Sequence, residues 1–268
     1  MSNSENKLIP EWNIPVDPFD GEFKNNPFEV NAPSVNVSSK YAFISTRQFI
    51  EDMATLGWNT SSTKSRSRTG LGKHIMRFRH ENYKCPSGDF VEIVALNAHD
   101  GSSPFVLQFG IFRLVCSNGL VIGKVLVEPV RIRHVGYTAD KVNSAVNTLL
   151  SQLEKVHAAI AKLQTTTLTD EQFNDFLIAA LLIRGMNPSK VEPISLETIR
   201  RKEDEGLTAW NVLNRVQENI MNGFKYIEDL DYGSEEGVRV RRARAIKGVK
   251  SQLDLNTQLF DAVLQIAA

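Results

Sequence analysis

The chain has 268 residues, enough to bury a substantial core in one large domain or two small ones. Its 42% hydrophobic and 23% charged content is that of a soluble globular protein, and 31 Lys plus Arg balance 31 Asp plus Glu, so net charge selects no partner. Two cysteines, Cys85 and Cys116, are too few for a disulfide scaffold; no run reaches the about 18 apolar residues of a membrane helix, and the polar start lacks a secretory signal's apolar core, so a cytoplasmic protein without membrane contact is expected.

Prolines at 10, 15, 18, 27 and 33 exclude a long helix over residues 1–36. That segment is expected to be an irregular arm that either stays mobile or docks through Trp12, Phe19, Phe23 and Phe28; the aromatics favour docking, onto a neighbouring subunit in a homo-oligomer. Residues 45–58 read as a helix capped by Ser45 or Thr46, with Phe49, Ile50, Met53 and Leu56 as its apolar stripe and Gly57 as its end. Residues 59–70, rich in Ser, Thr and Gly, read as a loop or a weakly ordered edge. From Lys73 to Arg79 basic and apolar residues alternate as in a strand, with Ile75 out of pattern. Strands over 90–96, 104–108, 111–115, 120–127 and 129–135 follow, with a bulge or bend at Gly110. Their links are too short for parallel crossovers, so the sheet is predicted antiparallel.

After Tyr137 the apolar period becomes helical. One helix is expected over 139–163, which holds neither glycine nor proline, and Thr169 caps a second that carries Phe173, Phe176, Leu177, Ala180 and Leu181. A short helix over 193–201, a third long one over 207–221, a loop over 222–238 and a last helix over 251–266 complete the chain. The fold class is therefore α+β, with an antiparallel sheet in the N-terminal half and a mainly helical C-terminal half. Beyond the arm, residues 37–268 are expected to form a single domain, β-rich over 37–137 and helical over 138–268.

Two features carry functional weight. The first is the polar cluster Asn97, His99, Asp100, Ser102 and Ser103. Asp100-Gly101 is a hairpin signal whose carboxylate can cap its own turn, which is the structural interpretation. The functional interpretation makes His99, Asp100 and Ser102 candidate catalytic residues of a metal-independent hydrolase. No Gly-x-Ser-x-Gly elbow surrounds Ser102, and His99 and Asp100 would point to opposite sides of an extended segment. Ser117-Asn118-Gly119 reads as a further turn. The five scattered histidines have no zinc spacing, and there is no phosphate-binding glycine loop, so neither a metal nor a cofactor is expected, and a non-enzymatic protein is favoured.

The second feature is basic patterning: Lys64, Arg66, Arg68, Lys73, Arg77 and Arg79; then Arg131 and Arg133; then Arg239, Arg241, Arg242 and Arg244. Each run alone is explained by a solvated or acid-paired surface. Together they favour contact with a DNA backbone, single strands in particular, because no helix-turn-helix or zinc finger supports duplex reading. The alternative partner is a host protein.

The run Asn97-Ala98-His99-Asp100-Gly101-Ser102-Ser103 with Phe112-Arg113-Leu114-Val115-Cys116-Ser117-Asn118-Gly119-Leu120 resembles the paired motifs of a phage, plasmid and prophage family, domain of unknown function 932. Lys73–Arg79 and Trp210–Asn219 look like its branch from cryptic prophages of enteric bacteria, and the resemblance runs from about Thr46 to about Lys250. Pro104, where the family usually has a small or polar residue, is a departure. The resemblance implies a role in recombination, replication or counter-defence, and no catalytic residue.

Overall fold

The computed structural model describes residues 26–65, 67–84, 89–113, 116–134, 138–228 and 239–268. Helix α1 (Thr46–Thr55) starts where the Ser45 hydroxyl accepts the Gln48 amide and stops at Gly57, whose φ of 82° suits glycine alone. It buries Phe49, Ile50 and Met53 and leaves Leu56 half-exposed. Six antiparallel strands follow: β1 (Asn59–Ser65), β2 (His74–Lys84), β3 (Phe90–Asn97), β4 (Phe105–Arg113), β5 (Cys116–Val121) and β6 (Val130–Ile132). They lie in the order β1-β2-β3-β4-β5, while β6 pairs with the first half of β4.

Both faces of this sheet are covered, which explains why β3 is buried along its whole length. On the first face Phe78 and Phe105 pack edge-on against Phe49 of α1, at 5.4 and 4.7 Å. On the second face Ile75, Val94, Leu96, Val106 and Val121 form a smaller cluster with Val249 and Leu253 of α6 (Val249–Ile266). Ile75 therefore obeys the alternation: its parity faces a helix rather than water. Gly110 marks no bulge against β3, since the β3–β4 register runs through it unbroken. A Cβ there would stand 2.7 Å from Val94 and 3.0 Å from the Arg77 guanidinium, so the glycine admits a neighbouring arginine.

Several expectations are corrected. Residues 59–70, expected as a loop or a weakly ordered edge, supply the edge strand β1 over Asn59–Ser65, held by pairing to β2. Ser117–Gly119 lie within β5 rather than in a turn. The helix expected over 139–163 is two helices, α2 (Ala139–Leu150) and α3 (Leu153–Thr165). Thr148 Oγ1 donates to Ser144 O and Ser151 Oγ to Thr148 O at the break, so side-chain hydroxyls compete with the helical ladder. Helix α4 (Asp170–Ile183) keeps its Thr169 cap as a full capping box with Gln172. No helix forms over 193–201; instead β7 (Val191–Pro193), β8 (Lys225–Glu228) and β9 (Arg239–Arg242) make a second antiparallel sheet. Between β7 and β8, helix α5 (Ala209–Asn222) is buried on nearly every side and packs against α3, α4 and α6. Among the described residues no helix is long and apolar enough to cross a membrane. Of the arm, residues 1–25 lie outside the described residues, whereas Phe28 is buried in the core of its own chain.

Candidate functional site

His74 begins β2 on the first face of the sheet, and Asn97 ends β3 directly opposite it. Thr46, the first residue of α1, lies above both. Its hydroxyl is 2.7 Å from His74 Nε2 and 3.0 Å from His99 Nε2, and it accepts from Asn97 Nδ2 at 3.3 Å. All four side chains are fully buried. The partners decide where the protons sit. Gly72 O, 3.0 Å from His74 Nδ1, can only accept, so Nδ1 carries the proton and Nε2 accepts from Thr46. Pro27 O, 3.1 Å from His99 Nε2, likewise places the proton on Nε2 and leaves His99 Nδ1 as a buried acceptor without a partner.

This arrangement holds both rings neutral. Burial first, and then the neighbouring imidazole, push His74 down to about 3; burial pushes His99 down to about 4 despite the Pro27 carbonyl and the Asp100 charge. His134 is lowered too, by burial, and its ring stacks on Tyr41 at 4.5 Å. Tyr41 donates to Ala98 O, and burial with the Asp100 charge raises it to about 12. Asp100 itself is exposed and accepts the Ser102 amide at 2.9 Å in a turn where Gly101 has φ 74°. His99 thus faces a filled interior while Asp100 and Ser102 face outward, so the three candidate catalytic residues share no cleft.

The basic residues divide into separate groups. Arg77 and Arg79, from the second face of β2, both reach Glu92 of β3, at 2.7 and 2.9 Å, and Ser61 donates to the same carboxylate. Glu92 is fully buried and the two arginine side chains are about 15% exposed, so they form a charge cluster in the sheet rather than a projecting row. Lys64 donates to Gln252 at the start of α6, while Arg68 is exposed and Lys73 half-buried. On β9, Arg241 pairs with Glu228 across the second sheet and Arg242 is exposed, as is Arg244 beyond it. Arg66 and the Arg239 side chain lie outside the described residues.

Arg131 is differently placed. It lines a pocket of about 190 Å³ on the second face of the sheet, together with Ser102, Gln108, Lys124, Lys250 and Asp254. It also borders a broad depression of about 690 Å³ with Arg133, Lys141 and Asp140. Lys124 in turn borders a third hollow, of about 460 Å³, with Lys155 and Glu128. Among the described residues neither Arg131 nor Lys124 has an ion-pair partner. The loop bearing Lys124 is pinned to α6, because Asp261 accepts the Lys124 and Val125 amides at 3.1 and 3.0 Å. Gly123 makes that approach possible, since a Cβ there would stand 1.8 Å from Asp261 Oδ1.

A family model described as "Domain of unknown function (DUF932)" matches residues 35–260. The chain belongs to that family. Among curated proteins, this chain is similar to the UPF0380 proteins YfjQ and YafZ of Escherichia coli (strain K12), 29% and 28% identical over 229 residues, 83% of this chain and 81% of each of theirs. No solved structure matches it. The motif residues of this DUF932 chain fall mostly in its architecture: Asn97 and His99 in the buried network, Asp100 in a turn.

The run Trp210–Asn219 lies within α5, where Trp210, Leu213, Val216, Gln217 and Ile220 recur at helical spacing in the sequence. Inside, Gln217 donates to Asn256 at 2.7 Å, Asn219 to the Leu196 and Thr198 carbonyls, and Glu218 pairs with Arg201. Gln217 falling on the apolar stripe was the available signal. Gln108, Lys124 and Lys250 had none: the first two lie on β4 and in the β5–β6 loop, Lys250 lies more than a hundred residues further on in α6, and they meet only through the fold.

Proposed function

We propose that this protein is a non-enzymatic, DNA-associated protein of the cytoplasm, from the prophage-encoded part of its family, serving recombination or replication by gripping the phosphate backbone of single strands. The observation that carries the reading is the adjacency of three hollows around β6, which share Arg131, Lys124 and Val130 at their borders and are further bordered by Arg133, Lys141 and Lys155. Their acids, Asp140 and Glu128, leave a cationic excess. Backbone contact needs such an excess and no base-reading element. The chain's zero net charge makes binding local to this face and strongly dependent on salt.

The test is a titration of single- and double-stranded DNA at two salt concentrations. Single strands should bind, with a log–log salt slope that falls by about 0.7 for each phosphate contact removed, as in Arg133→Ala. Absence of binding to either form at low salt overturns the reading. A second reading, a host-protein ligand acting in counter-defence, is favoured by the exposed apolar side chains Ile178 and Leu182 on α4. Capture of a host protein that nuclease treatment leaves intact, through a surface lost in Leu182→Asp, would favour it.

A further inference from the structure

We propose that the pocket between the Ser102 turn, β6 and the first turns of α6 is a subsite for one phosphate monoester, the phosphorylated end of a nucleic acid strand. The claim that a strand carries this phosphate rests on the reading above; the subsite itself does not. Size is the first argument. About 190 Å³ is well below the roughly 300–1,000 Å³ of clefts that bury a drug-sized ligand, and suits a single compact group. Closure is the second. Leu96, Val106 and Leu253, each under a tenth exposed, are part of its lining, so the pocket ends against the core instead of leading through the molecule.

Charge selects the end. Three cations line it, Lys124, Arg131 and Lys250, against one lining carboxylate, Asp254, which is itself paired with Lys250; Asp261, which holds the Lys124 loop, stands outside the lining. The surplus of two matches a monoester, which carries about −1.5 to −2 at neutral pH and three acceptor oxygens, better than the single charge of an internal diester. The apolar floor lowers the local dielectric and strengthens each of these attractions.

Gln108 supplies an independent observation. It is 7% exposed, yet its amide has no hydrogen-bond partner among the described residues, and it lines the pocket. Its amide is not sealed from solvent, so its two N–H donors are open beside three cations, where phosphate oxygens would match them. The exposed Ser102 hydroxyl adds a donor at the rim.

The experiment compares, by fluorescence anisotropy, one single-stranded oligonucleotide with a 5′-phosphate, with a 3′-phosphate, and with hydroxyls at both ends. Calorimetry with inorganic phosphate runs beside it. A phosphorylated end should bind about tenfold more tightly, equivalent to about 1.4 kcal/mol. Gln108→Leu and Lys250→Met should bring the phosphorylated strand down to the hydroxyl-ended one, and urea midpoints would show that both variants stay folded. Equal binding of all three strands with no phosphate heat overturns the subsite and leaves the backbone reading standing. Phosphate heat that the two variants abolish, without binding of any strand, supports the subsite with a free anion as its source and overturns the backbone reading. Silence in both arms overturns both.

Discussion

The two faces of the main sheet solve the problem of polar residues in opposite ways. On the first face the polar groups of Thr46, His74, Asn97 and His99 are sealed under α1 and the segment carrying Phe28, and they stay neutral. Stability there comes from a fixed set of donors and acceptors, with one histidine lone pair left over. On the second face α6 covers only the middle of the sheet, and charges remain: Arg77, Arg79 and Glu92 toward one side, Arg131, Lys124 and Lys250 toward the other. Neutral burial leaves nothing for a ligand to do. Uncompensated charge beside a dry floor does.

The hardest way to break this contrast is at Glu92. Glu92→Gln leaves Arg77 and Arg79 without the carboxylate they share, while shape is kept. Removing one member of a buried ionic cluster costs about 3–5 kcal/mol, so the urea midpoint should fall steeply. Replacing the cluster by apolar residues, as in Glu92→Leu with Arg77→Met and Arg79→Leu, should recover much of that loss. A Glu92→Gln protein as stable as the parent would show that the carboxylate does not organise this face.

Acid tests the first face. The folded-state values near 3 for His74 and near 4 for His99 lie below the ordinary 6.5. Above pH 6.5 both rings are neutral, folded or unfolded, and stability is at its full value. As pH falls below 6.5 the unfolded chain takes up protons that the native network refuses, and stability drops until the folded values are reached. Each histidine contributes about 1.4 kcal/mol per pH unit across that window. Urea unfolding at pH 7, 6 and 5 should show the slope before most carboxylates titrate, and His99→Gln should make it shallower. A flat profile would mean that the rings are accessible to protons in the native state.

The same contrast explains how much could be read in the amino-acid sequence. The antiparallel sheet, α1 and the Thr169 cap were legible because period and capping are local. The break at Ser151 was not, since hydroxyl competition leaves no gap in an apolar stripe. The second sheet was missed because β7 and β8 stand thirty residues apart with α5 between them, and short strands of Lys, Tyr and Arg look like loop. Arg77 and Arg79 advertised a basic face, but Glu92 shares their register and lies on the same side; only strand pairing reveals that. His99 drew attention as a chemical group and is structural. The residues that meet around Arg131 drew none, because proximity across β4, the β5–β6 loop and α6 has no signature in spacing.

The smallest expected effect separates placement from charge on the second face. Asp261 is held above its ordinary carboxylate value by burial, against the pull of the Val125 and Lys124 amides it accepts. Asp261→Asn keeps one acceptor and turns an amide toward the other N–H, in an exposed loop where water can substitute, so the stability cost should be about 1 kcal/mol. Its effect on phosphate is more telling. If net charge alone governed the pocket, deleting a carboxylate beside Lys124 would tighten binding. If the loop must be pinned for Lys124 to face the pocket, binding of the phosphorylated strand should weaken despite the added positive charge. Tighter binding in the anisotropy assay would assign the site to its field, and weaker binding to the clamp that Gly123 and Asp261 build.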